Sequence, residues 1–154
     1  MRLEGSCECR GVRFNVSSRT PYPYRICSCR RCRKTAGSIG AAANVIADAS
    51  SLELEGEVTP NRYEHPDEPV VLTFCGRCGS ALFLEITPFP EWVYPFASAV
   101  DTPLPKPPEF VFVRTEERPS WTPAIGSDGD PNFAENTDES MVAWHRRLGL
   151  ESPD

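Results

Sequence analysis

Seven cysteines, gathered into three tight motifs, constrain this chain more than any other feature: Cys7-x-Cys9, Cys27-x-Cys29-x2-Cys32 and Cys75-x2-Cys78. Zinc prefers four tetrahedral ligands, and thiolate is its favoured partner in structural sites. Cys75-Gly76-Arg77-Cys78-Gly79 has the form of a zinc knuckle. Two sulfurs grip the metal, and the glycines let the backbone turn its N–H groups toward them. A knuckle needs two further ligands, and Cys7 and Cys9 can supply them, closing a four-sulfur site. Cys27, Cys29 and Cys32 remain. Three protein ligands plus one open position is the arrangement of a catalytic zinc. Spacing alone leaves other divisions open. Cys9 could join the trio, or one metal could bind while the remaining cysteines stay ordinary thiols. His65 and His145 lie far along the chain from the trio and are not counted as ligands. A thioredoxin-like redox pair is disfavoured, because neither CxxC is expected to open a helix in a βαβ pattern.

The surrounding sequence sets the context. The chain has 154 residues, consistent with one domain over 1–154. Sixteen prolines, about twice the ordinary share, favour short strands and long ordered loops over a helical bundle. No apolar run reaches the roughly 20 residues of a membrane-spanning helix, and the N-terminus has no apolar signal-peptide core. The expected compartment is the cytoplasm, where thiols stay reduced and cysteines serve metals or catalysis rather than disulfides. The formal net charge is −6; metal-bound thiolates and two zinc ions would take it to about −9. So acidic a chain is a poor general binder of nucleic acid.

Alternation marks Val12, Phe14 and Val16 as one face of a strand, with Arg13 and Asn15 on the other. Tyr24 to Cys29, Ala41 to Ala47, Val70 to Phe74, Ser80 to Ile86, Trp92 to Ala97 and Phe110 to Val113 read as further strands. Leu52 and Leu54 mark a half-buried one. Turn signals separate most of them, including Thr59-Pro60-Asn61, so the expected fold is mainly β. Trp92, Tyr94 and Phe96 read as sheet packing rather than pocket wall. Trp144 is expected to pack a terminal helix onto the sheet. That helix, about 138–148, is the single one expected, capped by Thr137 or Asp138 with Glu139 in its first turn, and stopped at Gly149. Gly126 to Asp130 reads as a flexible acidic loop.

Four cations, Arg30, Arg31, Arg33 and Lys34, surround the trio. They can stabilise thiolates, or hold the carboxylates of an anionic small molecule.

On these residues the chain resembles the glutathione-dependent formaldehyde-activating family, which includes centromere protein V. The matching pieces begin with Gly5-Ser6-Cys7-x-Cys9 and Val12-x-Phe14. Cys27-x-Cys29-x2-Cys32-Arg33-Lys34-x2-Gly37-Ser38 and Phe74-Cys75-x2-Cys78-Gly79-Ser80-x-Leu82-Phe83 follow. Val100-Asp101-x-Pro103 and Pro119-Ser120-Trp121 complete a stretch of about 5–121. The resemblance implies a β-tent of sheets joined through two zinc sites. It assigns Cys7, Cys9, Cys75 and Cys78 to a structural zinc, and Cys27, Cys29 and Cys32 to an open, catalytic zinc that binds the thiol. It implies a carbon–sulfur lyase acting on S-hydroxymethylglutathione. For such an enzyme Arg33, Lys34 and Arg30 are the candidates to hold the thiol's carboxylates, and Ser38 is a candidate hydrogen-bond donor to substrate with a structural turn role as its alternative. Where the family often has histidine inside each CxC, this chain has Glu8 and Ser28; Ile39-Gly40-Ala41-Ala42 replaces bulkier residues. Glu8 and His65 are acid–base candidates only if the fold brings them to the trio. The rival reading is a non-catalytic binding module with both zincs structural, and a metal buffer or thiol-redox protein is a third.

Overall fold

A computed structural model describes residues 1–123 and 129–151. The strands are β1 (Arg2–Ser6), β2 (Arg13–Ser17), β3 (Arg25–Cys27), β4 (Ala42–Ala43), β5 (Ala47–Asp48), β6 (Glu53–Glu55), β7 (Asn61–Glu64), β8 (Val70–Phe74), β9 (Ala81–Ile86), β10 (Trp92–Pro95) and β11 (Val111–Val113). Two short helices, α1 (Arg30–Ala36) and α2 (Met141–Arg147), accompany them. The strands form three sheets, ordered β1-β2-β6, β5-β10-β9-β8-β7 and β11-β3-β4. The fold is mainly β, as the alternation implied. The acidic loop expected at 126–130 falls largely outside the described residues. Among the described residues no helix is long and apolar enough to cross a membrane.

Alternation drives the first sheet. Leu3 pairs with Val16 in the β1–β2 register, and both are buried with Phe14. The Phe14 ring meets Phe83 of β9 edge-on, 6.0 Å between centroids, and so joins the first sheet to the five-stranded one. Leu82, Val93 and Phe96 complete that core. The third sheet has a core of its own. Tyr24, Val111 and Val113 pack with Trp144 of α2, whose indole stacks on Tyr24 at 3.6 Å and donates Nε1–H to Glu109 at 2.9 Å. Trp144 therefore docks α2 on this sheet, as expected.

Several local expectations need correction. The expected single helix is joined by α1, which begins inside the trio motif, so Cys29-x-x-Cys32 does open a helix. Its seven residues present one buried side chain, Cys32, so no apolar periodicity announces it. Cys29 is the N-cap, and Gly37, at φ 58°, is the left-handed C-cap. The α2 cap is Ser140, whose Oγ accepts from Ala143 N–H at 3.1 Å; neither Thr137 nor Asp138 holds that place, and Glu139 precedes the helix. Gly149 does take the left-handed stop at φ 64°. Ala41 to Ala47 is two short strands rather than one. Asn61 begins β7 instead of ending a turn. Leu54 is exposed, because β6 is an edge strand held by its ladder to β2 and by the Arg2–Glu53 ion pair.

Candidate metal centres and the adjoining cavity

The first cysteine cluster joins the turn between β1 and β2 to the turn between β8 and β9. The Cys75 turn closes as the glycines predict. Gly79, at φ 78°, donates its N–H to Cys75 O at 2.9 Å, and Cys75 N–H reaches Ser80 O at 2.9 Å. Cys7 Sγ accepts from Val12 N–H at 3.3 Å. The Ser80 hydroxyl lies 3.3 Å from Cys78 Sγ and is the main cause that draws this thiol down to about 5. All four sulfurs, of Cys7, Cys9, Cys75 and Cys78, lie within 4.8 Å of one another. The geometry tests the fit to zinc directly. A Zn–S bond of about 2.3 Å makes a tetrahedron whose S···S edge is about 3.8 Å. Cys7 and Cys9 sulfurs stand 3.6 Å apart, and Cys9 and Cys75 sulfurs 3.8 Å. The donor set fits.

The second cluster is built at the junction of β3 and α1. Cys27 ends the strand, Cys29 caps the helix and accepts from Cys32 N–H at 3.4 Å, and Cys32 lies in the first turn. Their sulfurs also lie within 4.8 Å of one another. No histidine or carboxylate joins this group among the described residues. Contacts with the Cys27 and Cys32 thiols pull Cys29 down to about 2; the contact with Cys29 and burial push Cys27 up, and contacts with both neighbours and burial push Cys32 up. The three thiols lose their protons as one interacting group. Removing these protons brings like charges together, and a dication is what reverses that cost. The trio fits a zinc with three protein ligands and one free position.

The parallel pairing of β11 with β3 places Val113 beside Cys27, and Ser28 N–H donates to Val113 O at 3.0 Å. It delivers Arg114 and Glu117 to the trio, residues that sequence spacing did not nominate. Arg114 adopts φ 57° and donates Nε–H to Glu117 at 2.7 Å; Glu117 in turn accepts Arg30 N–H, the first of α1, at 2.9 Å. These contacts hold the Glu117 carboxyl below the usual carboxylate range, the Arg30 amide contributing most.

Cys27 and Cys32 open onto a cavity of about 600 Å³. Ile46, Leu84, Ile86, Phe89, Trp92 and Tyr94 form an apolar side. Trp92 is therefore pocket wall, correcting its reading as sheet packing; Tyr94 packs against the core as expected and also lines the cavity, and Phe96 is buried in the core. Arg25 and Arg31 also line the cavity. Arg25 donates to Tyr24 Oη at 3.3 Å and to Glu139 O, and Arg31 pairs with Glu68, yet each keeps a buried Nε–H without a partner.

The nominated substrate contacts lie elsewhere. Arg33 is committed inward, Nε to Ser28 O at 3.0 Å and a second nitrogen to Glu117 O at 3.2 Å. Arg30 and Lys34 are exposed on α1, and Ser38 follows it with a buried hydroxyl that has no partner. None of the four lines the cavity. Glu8 stands by the four-cysteine cluster, where its N–H donates to Ser80 Oγ at 3.0 Å. His65 sits 3.7 Å from Glu68, one residue removed from Arg31.

Residues 2–115 match the protein family described as "Glutathione-dependent formaldehyde-activating enzyme". The chain belongs to this family. A Halomonas elongata protein named "Putative glutathione-dependent formaldehyde-activating enzyme" is 45% identical over 155 residues, covering 98% of this chain and 99% of its own. A Rhodobacter sphaeroides protein of known crystal structure superposes with a TM-score of 0.56 at 20% identity, covering 71% of this chain and 99% of its own. That likeness shows the fold. The glutathione-dependent formaldehyde-activating family thus accounts for the chain through β11, while α2 and its approach lie beyond the match.

Proposed function

We propose that this protein, as a single zinc domain, is a carbon–sulfur lyase acting on the adduct of a glutathione-type thiol with an aldehyde, of the S-hydroxymethylglutathione kind. The observation that carries this reading is the three-cysteine cluster opening onto a cavity lined by two arginines. Cys7, Cys9, Cys75 and Cys78 would hold a structural zinc, and Cys27, Cys29 and Cys32 a second with one position free. Bound there, zinc supplies Lewis-acid stabilisation of a substrate sulfur as thiolate at neutral pH.

The chain's own residues supply position and charge. The Cys29 cap and the Glu117–Arg30 contact fix the α1 end of the trio, and Arg33 ties Ser28 to the Glu117 segment. Arg31 and Arg114 add positive charge near the sulfurs, which favours an anionic thiol. Arg30 and Lys34 are the exposed cations suited to attract the thiol's carboxylates, and Ser38 offers its unpartnered hydroxyl to an acceptor. A cytoplasmic location would keep the trio reduced.

The test is zinc per chain by elemental analysis, with the cobalt-substituted spectrum recorded before and after glutathione. About two metals per chain, and a spectral change with glutathione but not with its S-methyl ether, is the expected result. Cys27→Ser should lower the metal by about one per chain and abolish the glutathione response. Two metals indifferent to glutathione would replace this reading with a structural zinc module.

A further inference from the structure

The wall of the cavity beside the trio is a poor match to a small polar adduct. It is lined by Leu84, Ile86, Phe89, Trp92 and Tyr94, and by Met141 and Val142 of α2. A hydroxymethyl group would leave most of that surface against water, and peptide groups laid on it would lose hydrogen bonds without replacement. The α2 residues, with Asn136, Thr137 and Ser140, come from beyond residue 115, where the family match ends. The Rhodobacter protein of similar fold is itself spanned almost completely by 71% of this chain. These residues lie beyond the family match, within the stretch that the Halomonas relative also spans. The cavity's polar lining includes two guanidinium groups, Arg25 and Arg31, each with a buried Nε–H lacking an acceptor, alongside Asn44, Glu91, Asn136, Thr137 and Ser140. Buried donors of this kind call for a ligand acceptor or ordered water.

We infer that the cavity takes the adduct of a thiol with an aldehyde bearing an aryl or branched alkyl group, with an anionic or carbonyl oxygen near Arg25 and Arg31, and that Phe89 and segment 136–142 line the space for that group. The inference rests on the thiol reading above and enlarges the aldehyde part of the substrate. In the cleaving direction the C–S bond of the hemithioacetal breaks and its electron pair stays on sulfur. The hydroxyl proton departs as the carbonyl forms, and the sulfur takes up a proton on release. Aldehyde and thiol together contain every atom of the adduct, so no oxidant or reductant enters.

Binding to the intact zinc-loaded chain tests this without turnover. Glutathione, S-methylglutathione and S-benzylglutathione would be compared by titration calorimetry. The expected result is that the benzyl ether binds at least about tenfold more tightly than the methyl ether. Phe89→Ala, at a half-exposed side chain, and Val142→Asp should each erase most of that difference between the two ethers. Phe89→Ala keeps the test open should Val142→Asp fail to fold. Equal affinities for the two ethers, or a preference that survives Phe89→Ala, overturn the inference while glutathione binding upholds the thiol reading. Failure to bind glutathione itself overturns the reading on which both rest.

Discussion

Gly5→Ala offers a sharp test of how the first sheet is set against the second. Gly5 pairs with Phe14 in the β1–β2 register and bridges to Val100. A Cβ built there would stand 2.1 Å from Phe14 Cζ and 2.5 Å from Ala99 O. Neither neighbour can yield easily. The Phe14 ring is buried and wedged edge-on against Phe83, and the Ala99 oxygen is backbone. Overpacking in a tight core costs about 1–3 kcal/mol, occasionally more, and two contacts this short place the expected loss at about 3 kcal/mol or above. That is a large part of the roughly 5–15 kcal/mol available to a domain. The assay is urea unfolding of the zinc-loaded protein, comparing midpoints at unchanged slope. Gly5→Ala should also weaken metal retention by the four-cysteine cluster, since Cys7 follows two residues later. Combining it with Phe14→Leu should cost less than the sum of the single changes, because the smaller side chain removes one of the two clashes. A loss below about 1 kcal/mol, or strict additivity with Phe14→Leu, would refute the reasoning.

Three other outcomes follow from the structure. Trp144→Ala should cost about 3–5 kcal/mol by thermal or urea unfolding, since it empties a fully buried site and removes the Tyr24 stack and the Glu109 hydrogen bond. Burial holds His145 below its ordinary pKa of 6.5, with Nδ1 at 2.7 Å from Met141 O and Nε2 without a partner. As pH falls, the unfolded chain protonates first, so the stability contributed by neutral His145 is present above about 6.5 and lost progressively below it. Melting temperatures from about pH 7 to about pH 5 should therefore shift in favour of His145→Phe relative to wild type on acidification; a constant difference would sink that account. Finally, a chelator should release metal in two phases, first from the three-cysteine cluster and then from the closed four-cysteine one, as followed with a metallochromic dye. Release in a single phase would argue against an open site.

Each cysteine motif was legible because ligand spacing is a local property, whereas which motifs share a site was left open by spacing and came from the family resemblance; the structure brings Cys7/Cys9 to Cys75/Cys78 and keeps Cys27, Cys29 and Cys32 together. β2 was legible because Phe14 and Val16 alternate with polar residues. Helix α1 was not, since it buries only Cys32 and is nucleated by a cysteine cap rather than by an apolar face. Arg114 and Glu117 reach the trio only through the parallel β3–β11 pairing, which leaves no mark within either segment. Alternation placed Trp92 and Tyr94 in a strand, but could not tell that their face looks into a cavity. The part played by 136–142 was hidden for the same reason: α2 shows its packing face through Met141 and Trp144, while its approach to the cavity depends on where the helix lands.

The closed cluster carries one further implication. Cys9 and Cys75 are 66 residues apart in sequence and 3.8 Å apart in space. A metal gripping both is a removable cross-link over that length of chain. A permanent link of this span would restrict the unfolded ensemble by about 4 kcal/mol on loop-closure arguments. With a metal bound there, the equivalent restraint would come and go with the free concentration of that metal. The length of chain free to expand on unfolding, and with it the protein's lifetime against proteolysis, would be governed by metal supply rather than by oxidation.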